Sequence, residues 1–517
     1  MLVQKQIHVL LVSPKTPHSY WGGQLATWFV GKKAMHIPLP LITLAALLPT
    51  HWSVTLVDLN IETLSDAEIL KADAVLLTGM IIQRDSMAEI IQRCRSLNRH
   101  IIVGGPFVSS SPDAIELREA TSLVIGEAES ESLIAHIASD IERGSIQSRY
   151  LEGGKPHMAQ SPIPRFDLLK WKAYGVMSIQ TSRGCPHHCE FCNVRMLNGV
   201  TPRYKSASQV VAELQAIADT GYRGNVFVVD DNFIGNKNVA KQILHAIIQW
   251  QRDHGKPFRF YTEADMRLSE YMDVVDLMVE AGFFAVFQGL ETPSAEALKE
   301  TGKTQNLRVD AALSARLLRQ RGLLVYGGFI VGFDTDDQSI FERVRQMINA
   351  CCIEIAMVGM LFAIPGTPLE HRLKREGRLL EQRGKDGFEE TNIQPMLMSR
   401  LELLQGYRKL LESLYTPRQY FKRAYVALSE WKQSSPGHVS FREFLAVPIS
   451  IFLQGIVSKY RHHYWIFMLR TLFQHPNKLA RAFTTAICGH HFFRYTERVV
   501  IPRLREAEAR LLLEEAA

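Results

Sequence analysis

Two blocks of alternation constrain this chain more than any other feature: short apolar runs take turns with helix-patterned stretches, a proline-bearing gap follows, and the rhythm resumes. In the first block, 1–150, the runs lie at 9–13, 54–59, 74–78, 101–104 and 123–126, with helical patterns such as 39–48 and 86–97 between them. That order predicts an α/β domain on a doubly wound, Rossmann-like parallel sheet. Residues 151–175 contain Gly153, Gly154, Pro156, Pro162 and Pro164 and predict an interdomain linker. Over 176–390 the runs 177–182, 225–230, 258–262, 285–290, 325–331 and 356–362 predict six βα units, a (βα)6 partial TIM barrel. The remainder, 391–517, reads as a helical domain. Leu401, Leu404, Leu411 and Leu414 approximate one helical face, which Leu410 broadens. Thr416-Pro417 has the form of an N-cap followed by proline at the first helical position. A chain of 517 residues is too long for one ordinary core, so several domains suit it.

Ligands of open parallel sheets sit beyond the carboxyl ends of the strands. In the first block those ends carry Thr78, Gly79 and Met80; Gly104, Gly105 and Pro106 with Ser109; and Gly126 with Glu127. Glycine there lets backbone approach a bulky ligand, although ordinary turns use the same residues. In the second block the ends carry Asp230, Asp231 and Asn232, then Glu263, then Gln288 and Glu291, then Gly332 and Asp334. Helix caps and solvated loops are the plain alternatives for the acidic members.

The sharpest motif follows the first strand of the second block: Thr181-Ser182-Arg183-Gly184-Cys185-Pro186-His187-His188-Cys189-Glu190-Phe191-Cys192. Three thiolates spaced Cys-x3-Cys-x2-Cys can hold three irons of a cubane and leave the fourth open to chelate an amino and a carboxylate group. Zinc is the main alternative, with His187 or His188 as fourth ligand, but structural zinc favours paired Cys-x2-Cys units. Seven cysteines, three of them within 185–192, suit metal chemistry in a reduced compartment rather than a disulfide scaffold. The short apolar run 8–12 reads as a strand rather than a signal peptide, and no uninterrupted apolar window of about eighteen residues suggests a membrane span. The expected location is cytoplasmic.

The net charge of +6 is uneven. Between 444 and 496 there is no Asp or Glu, while Lys459, Arg461, Arg470, Lys478, Arg481 and Arg494 lie there. A packed helical subdomain with a basic rim is the plainer reading. A basic, aromatic segment in peripheral contact with the inner face of a membrane is the sharper one. Nucleic acid is not an expected partner, because no recognised binding module accompanies the charge.

The cysteine spacing after a first barrel strand resembles the radical S-adenosylmethionine enzymes, and the doubly wound domain ahead of it resembles their cobalamin-binding subgroup. Several stretches are similar to members with an extra C-terminal helical domain, among them the hopanoid 2-methylases: 182–186, 229–237, Gly289-Leu290-Glu291-Thr292-Pro293, 328–334 and His490-His491-Phe492-Phe493-Arg494-Tyr495. The resemblance implies a 4Fe–4S cluster on Cys185, Cys189 and Cys192. It implies S-adenosylmethionine against Phe191, Asp230, Asp231, Asn232, Glu263, Glu291, Gly328, Ile330 and Gly332, with 363–368 as the turn after the sixth strand. It implies cobalamin at Thr78, Gly79, Met80, Gly104, Gly105, Pro106, Ser109, Gly126 and Glu127. The Asp-x-His-x-x-Gly and Ser-x-Leu motifs of many cobalamin domains are missing, so the corrinoid is expected without a histidine lower ligand.

Methylation of an unactivated carbon, of a polycyclic lipid or another secondary metabolite, is what the resemblance implies. One S-adenosylmethionine methylates the cobalamin, and a second is cleaved to the radical that removes hydrogen from the substrate. An external one-electron donor such as flavodoxin or ferredoxin is implied too. Radical cyclisation, ring rearrangement or oxidation with the same cofactors is the alternative, and a non-catalytic cobalamin or metal sensor a distant one. Methylthio transfer would need a second cluster, and Cys94 is the only cysteine before 185.

Overall fold

The computed structural model describes residues 6–380, 390–432 and 441–516. Two compact units make up the chain: Met1–His18, Lys33–Pro186 and Asn193–Tyr222 form the first, and Ser19–Lys32, His187–Cys192 and Arg223–Ala517 the second.

The first unit holds a six-stranded parallel sheet, β1 (His8–Ser13), β2 (Ser53–Asp58), β3 (Ala74–Thr78), β4 (His100–Gly104), β5 (Ser122–Ile125) and β6 (Arg149–Leu151), in the order β2-β1-β3-β4-β5-β6. β1 lies inside the sheet, and Val9 to Val12 are fully buried there. Leu10, Val12, Val75, Leu77 and Val103 of the sheet pack with Ile90, Ile91 and Cys94 of helix Arg84–Ser96. Burial in that apolar core pushes the Cys94 thiol up to about 11, so this cysteine is a packing residue. The chain crosses from β1 to β2 on one side and returns to β3 on the other, which leaves the switch point of a doubly wound sheet at the strands' carboxyl ends. β6 falls just before the glycine- and proline-bearing stretch and was not expected from the sequence; only its middle residue, Tyr150, is buried. β7 (Met177–Ile179) and the antiparallel pair β8 (Ser182–Arg183) and β9 (Arg203–Tyr204) complete this unit's strands.

The second unit contains β10 (Gly224–Val228), β11 (Phe258–Glu263), β12 (Phe283–Glu291), β13 (Leu324–Val331) and β14 (Ala356–Met360), each parallel to the next. Burial alternates along β11, with Phe258, Phe260 and Thr262 turned to the covering helices and Arg259, Tyr261 and Glu263 to the more open face. Strands therefore form at all six positions expected of the partial barrel.

After β14 the chain is helical. Ser399 and Glu402 form a capping box for helix Arg400–Leu414, whose buried stripe is Leu403, Leu404, Tyr407, Leu410, Leu411 and Leu414. Leu401 lies at the edge of that stripe rather than in it. Thr416 accepts from the backbone of Gln419, with Pro417 at the first position of helix Pro417–Glu430. Helices Phe441–Ser450, Arg461–Gln474, Leu479–Tyr495 and Ile501–Ala516 follow, with π-type winding over Ile451–Val457 and Thr496–Val500. Among the described residues no helix is long and apolar enough to cross a membrane.

Candidate functional site

In the first unit a cavity of about 280 Å³ opens at the carboxyl ends of β3, β4 and β5. Thr78, Gly104, Gly105, Pro106, Ser109, Gly126 and Glu127 line it, backed by apolar side chains including Leu77, Ile102, Val124 and Ile137. Gly79 and Met80 are not among its walls. The Gly79 carbonyl accepts from Phe107, and Met80 is exposed. Gly105 sits at φ 95°, where a Cβ would lie 2.2 Å from Thr78 Oγ1, so this bend belongs to glycine. Ser109 Oγ accepts from the Gly126 amide at 2.9 Å and ties the two loops together.

Glu127 is already engaged. Its carboxylate accepts from Arg183 at 2.7 Å and from Arg203 at 2.6 Å, and Arg183 reaches Glu129 at 3.0 Å. Burial works against the Arg183 charge, but the carboxylates of Glu129 and Glu127 outweigh it and keep the guanidinium cationic. Arg183 and Asn198 also wall the cavity. These polar residues were missed by the sequence reading; the only signal was the position of Arg183 two residues before Cys185. An apolar hollow with a polar, glycine-bearing mouth fits one arm of a large amphipathic cofactor such as a corrinoid.

The cysteine motif starts at the β8 hairpin. Gly184, at φ 101°, is packed so closely that a Cβ would meet three backbone carbonyl oxygens at 3.1 Å, and the Cys185 amide donates to Gly199. In the second unit the rest of the motif is held by its backbone and by Glu190. The Glu190 amide donates to the Thr301 carbonyl at 2.8 Å, and its own carbonyl accepts from Leu369 at 3.1 Å. Its carboxylate accepts from Arg372 Nε at 2.7 Å. Arg372 also donates to Asp334 at 2.6 Å, and Arg378 closes on the same carboxylate. Burial opposes the Asp334 charge, yet the two arginines hold its pKa at about 2.

Cys189 is buried, and Gln305 Nε2 points at its sulfur from 3.7 Å. Lys303 Nζ donates to Glu291 at 2.7 Å. Against the penalty of burial, Glu291 and the thiols of Cys189 and Cys192 hold that ammonium charged. A register shift between Gly289 and Glu291, with Glu291 at φ 64°, turns the end of β12. Phe191 joins the apolar cluster of Phe333, Leu361 and Leu369, which Ile330 also borders. Gly328 lies within β13 and Gly332 just past its end, where the Gly332 amide donates to Asp336 at 2.9 Å.

Asp230 and Asn232 are buried past the end of β10. Asn232 does not stand free: it donates to Asp265 at 2.9 Å, as His187 Nε2 lies 2.8 Å from the same carboxylate. Although burial opposes it, the His187 contact and the Arg267 charge hold Asp265 far below the usual carboxylate range. Glu263 behaves oppositely. Burial, then the charges of Asp231 and Asp230, push its pKa up to about 7. Gly366 starts the turn capped by Thr367, ahead of helix Pro368–Arg375.

Among the described residues no group of three or more His, Cys, Asp or Glu side chains is gathered to hold a single metal ion. The motif offers three thiols within eight residues of sequence, and in the second unit the Gln305 amide points at the Cys189 sulfur while the Lys303 ammonium senses Cys189 and Cys192. Soft thiolates beside positive charge suit an anionic iron–sulfur cubane. Asp265, Gln305, Lys303 and Arg372 were not foreseen, since nothing in their spacing links them to the motif, and His187, weighed as a zinc ligand, instead lies 2.8 Å from Asp265.

Comparison with known proteins places these features. The B12 binding domain model matches residues 33–134, the Radical SAM superfamily model 179–348, and a domain of unknown function, DUF4070, 367–502. An uncharacterised methyltransferase of Synechocystis sp. is 36% identical over 95% of this chain and 92% of its own. The hopanoid C-2 methylase of Rhodopseudomonas palustris is 32% identical over 93% of this chain and 92% of its own. The fold is shared with the radical S-adenosylmethionine methyltransferase TsrM of Kitasatospora setae, solved with cobalamin and a [4Fe-4S] cluster. That match has a TM-score of 0.62 at 17% identity and covers 87% of this chain and 99% of that one.

Proposed function

The chain belongs to the cobalamin-dependent radical S-adenosylmethionine methyltransferases that include the hopanoid C-2 methylase, and from this premise we propose that it methylates an unactivated carbon of a polycyclic lipid. The observation that carries the reading is the pairing, in one chain, of a hollow at the ends of β3 to β5 with a three-cysteine loop beside charged strand ends. When bound, the cluster and corrinoid supply one-electron cleavage of S-adenosylmethionine and carriage of a methyl group.

The chain's own residues position and shield that chemistry. Cys185, Cys189 and Cys192 hold the cluster, with Gln305 and Lys303 offsetting its negative charge. Phe191, Gly328, Ile330 and Gly332 give S-adenosylmethionine an apolar, close-fitting flank, while Asp230, Asp231, Asn232, Glu263 and Glu291 take its polar groups. Thr78, Gly104, Gly105, Pro106, Ser109 and Gly126 would receive the corrinoid. Glu127 acts there through Arg183 and Arg203, and Gly79 and Met80 only shape the loop.

The open face of the second sheet supports a flat apolar substrate. Phe227 and Tyr261 stack at 4.6 Å with 4° between their planes, and Trp21 leans on Phe287 at 4.7 Å. A flavodoxin or ferredoxin supplies the electron. A lipid substrate is met at a bilayer, and 444–496 is the part of the chain that reaches it. Cyclisation or ring rearrangement is less favoured, because methyltransferases match over nine-tenths of the chain.

Anaerobic reconstitution with iron, sulfide and hydroxocobalamin, then reduction with S-adenosylmethionine and candidate polycyclic lipids, tests the reading by product mass. A gain of one methylene unit is expected. An unchanged or hydrogen-depleted product would replace methylation with rearrangement or oxidation, and no cleavage of S-adenosylmethionine would favour a sensor.

A further inference from the structure

The helical part of the second unit leaves a row of large apolar side chains facing outward. Along 441–457 the positions Phe444, Pro448, Phe452 and Ile456 recur every four residues, and all four are exposed. On helix Arg461–Gln474, Ile466, Leu469 and Phe473 are exposed at spacings of three and four residues, with Phe473 79% exposed. The two segments are packed together: Trp465 Nε1 donates to the Gly455 carbonyl at 2.8 Å, and Ser450 Oγ lies 3.3 Å from Tyr464 Oη. Trp28 is 61% exposed beside them, because its neighbour Phe29 is buried against Ala446 and Ile487. The inner faces are satisfied by Ala446, Gln454, Tyr464, Phe467 and Met468. An amphipathic pair normally turns its polar side to water; this one shows phenylalanine, isoleucine and leucine on both sides.

Charge narrows the occupant. Of the six basic residues in 444–496, three are engaged internally. Lys478 donates to the carbonyls of Leu428 and Ser429, Arg481 pairs with Glu354, and Arg494 lies 3.3 Å from Glu497. The other three, Lys459, Arg461 and Arg470, are exposed on or beside the apolar rows, Arg470 also lying over the Tyr425 ring at 4.0 Å, with His462 exposed next to Arg461. No carboxylate interrupts the segment. A second copy of the same face would bring these cations against their own counterparts, which disfavours self-association. Anionic headgroups complement the cations, and acyl chains accept the apolar rows and the indole of Trp28.

We propose that the outward face of 444–457 and helix Arg461–Gln474, flanked by Trp28, docks this enzyme on an anionic lipid bilayer. The face deepens the lipid reading of the substrate and rests on it for its purpose, yet its test involves no turnover, so either can fail alone. Lys459 and Arg461 meet the headgroups, and Phe452, Ile466 and Phe473 enter the acyl boundary.

Flotation of the full-length protein with vesicles decides the matter, comparing phosphatidylcholine alone with an equal mixture of phosphatidylcholine and phosphatidylglycerol. The wild type floats with the mixed vesicles and less with the neutral ones, and added salt weakens the binding. Paired Phe452→Glu and Phe473→Glu lowers the bound fraction at least about tenfold. Paired Lys459→Glu and Arg461→Glu lowers it at least about tenfold through headgroup repulsion. All four positions are exposed, and unchanged thermal melting shows that the variants fold. The proposal is overturned if the wild type stays unbound, if both vesicle types bind equally, or if neither pair of substitutions matters. It is equally overturned if light scattering finds a dimer that Phe452→Glu dissociates, since a second copy then covers the face.

Discussion

At the ends of β3, β4 and β5 the first unit keeps a hollow whose charges, Glu127, Glu129, Arg183 and Arg203, are tied to one another, whereas the second unit fills its strand ends with carboxylates and a loop fastened at three points. Both come from the same strand-then-helix arithmetic. The difference teaches that the parallel sheet supplies only the place, and that ligand type is decided by what the loops keep back. A large, mostly apolar ligand needs volume, which glycine at a loop mouth preserves. A small anionic cluster and a zwitterion need fixed donors, which cross-linking hydrogen bonds provide.

The contrast breaks most severely at the cysteines. Replacing Cys185, Cys189 and Cys192 with alanine should abolish iron binding and methylation while cobalamin retention stays near wild type, as iron assay and visible spectroscopy would report. If iron and turnover survive, the second site has been misassigned. The converse is Gly104→Leu. A Cβ there meets nothing closer than Val124 at 3.5 Å, so the fold tolerates it, while the longer side chain takes up cavity volume. Cobalamin retention should fall at least about tenfold with iron content unchanged. Equal loss of both cofactors would mean that the two sites are not separable.

Arg372→Ala sharpens the comparison by loosening the loop without touching its sulfurs. Iron loading should fall several-fold, on the order of two to ten. Arg372→Lys should recover part of it, because a lysine can reach Glu190 or Asp334 but not both in the planar arrangement of a guanidinium. Cobalamin binding should not move. A broadened electron paramagnetic resonance signal from the reduced cluster would mark altered geometry rather than lower stability.

The smallest effect is a pH dependence. Glu263 titrates near 7 in the folded chain against 4.5 ordinarily, so between those values the folded state holds the extra proton. Its contribution is therefore fully present below about pH 4.5 and lost as pH rises through about 7, destabilising the protein by about 3 kcal/mol above that point. Glu263→Gln should remove this slope, read as a smaller difference between melting curves at pH 5 and pH 8. A slope that persists would place the responsible group elsewhere.

Much of this was legible beforehand. The strands of both sheets were readable to within a few residues because each carries a continuous or alternating apolar run, and the cysteine spacing identified its own chemistry. β6 was not, since Arg149 and Leu151 face solvent and leave Tyr150 as the only core residue of a three-residue edge. The capping of helix Pro417–Glu430 was local and visible. The partners of the cysteine loop were not: Lys303, Gln305 and Arg372 lie more than a hundred residues downstream and carry no periodic signature. Glu127 was readable as a residue of the cavity, but its ion pairs with Arg183 and Arg203 depend on tertiary contacts.

The segment Ser19–Lys32 leaves the strand that precedes it and joins the helices at the far end of the chain. Tyr20 stacks on Phe492 at 5.3 Å and on Tyr415 at 5.4 Å, and its hydroxyl meets Thr496 Oγ1 at 2.7 Å, 476 residues away. Closing so long a loop costs about 5 kcal/mol of chain entropy before any contact forms. During synthesis on a ribosome, Tyr20 emerges 395 residues ahead of Tyr415 and 472 ahead of Phe492, the rings it stacks on. Until those partners and the Ala446 and Ile487 that cover Phe29 are made, the rings of Tyr20 and Phe29 lack their native cover, and this stretch of the nascent chain is open to chaperones.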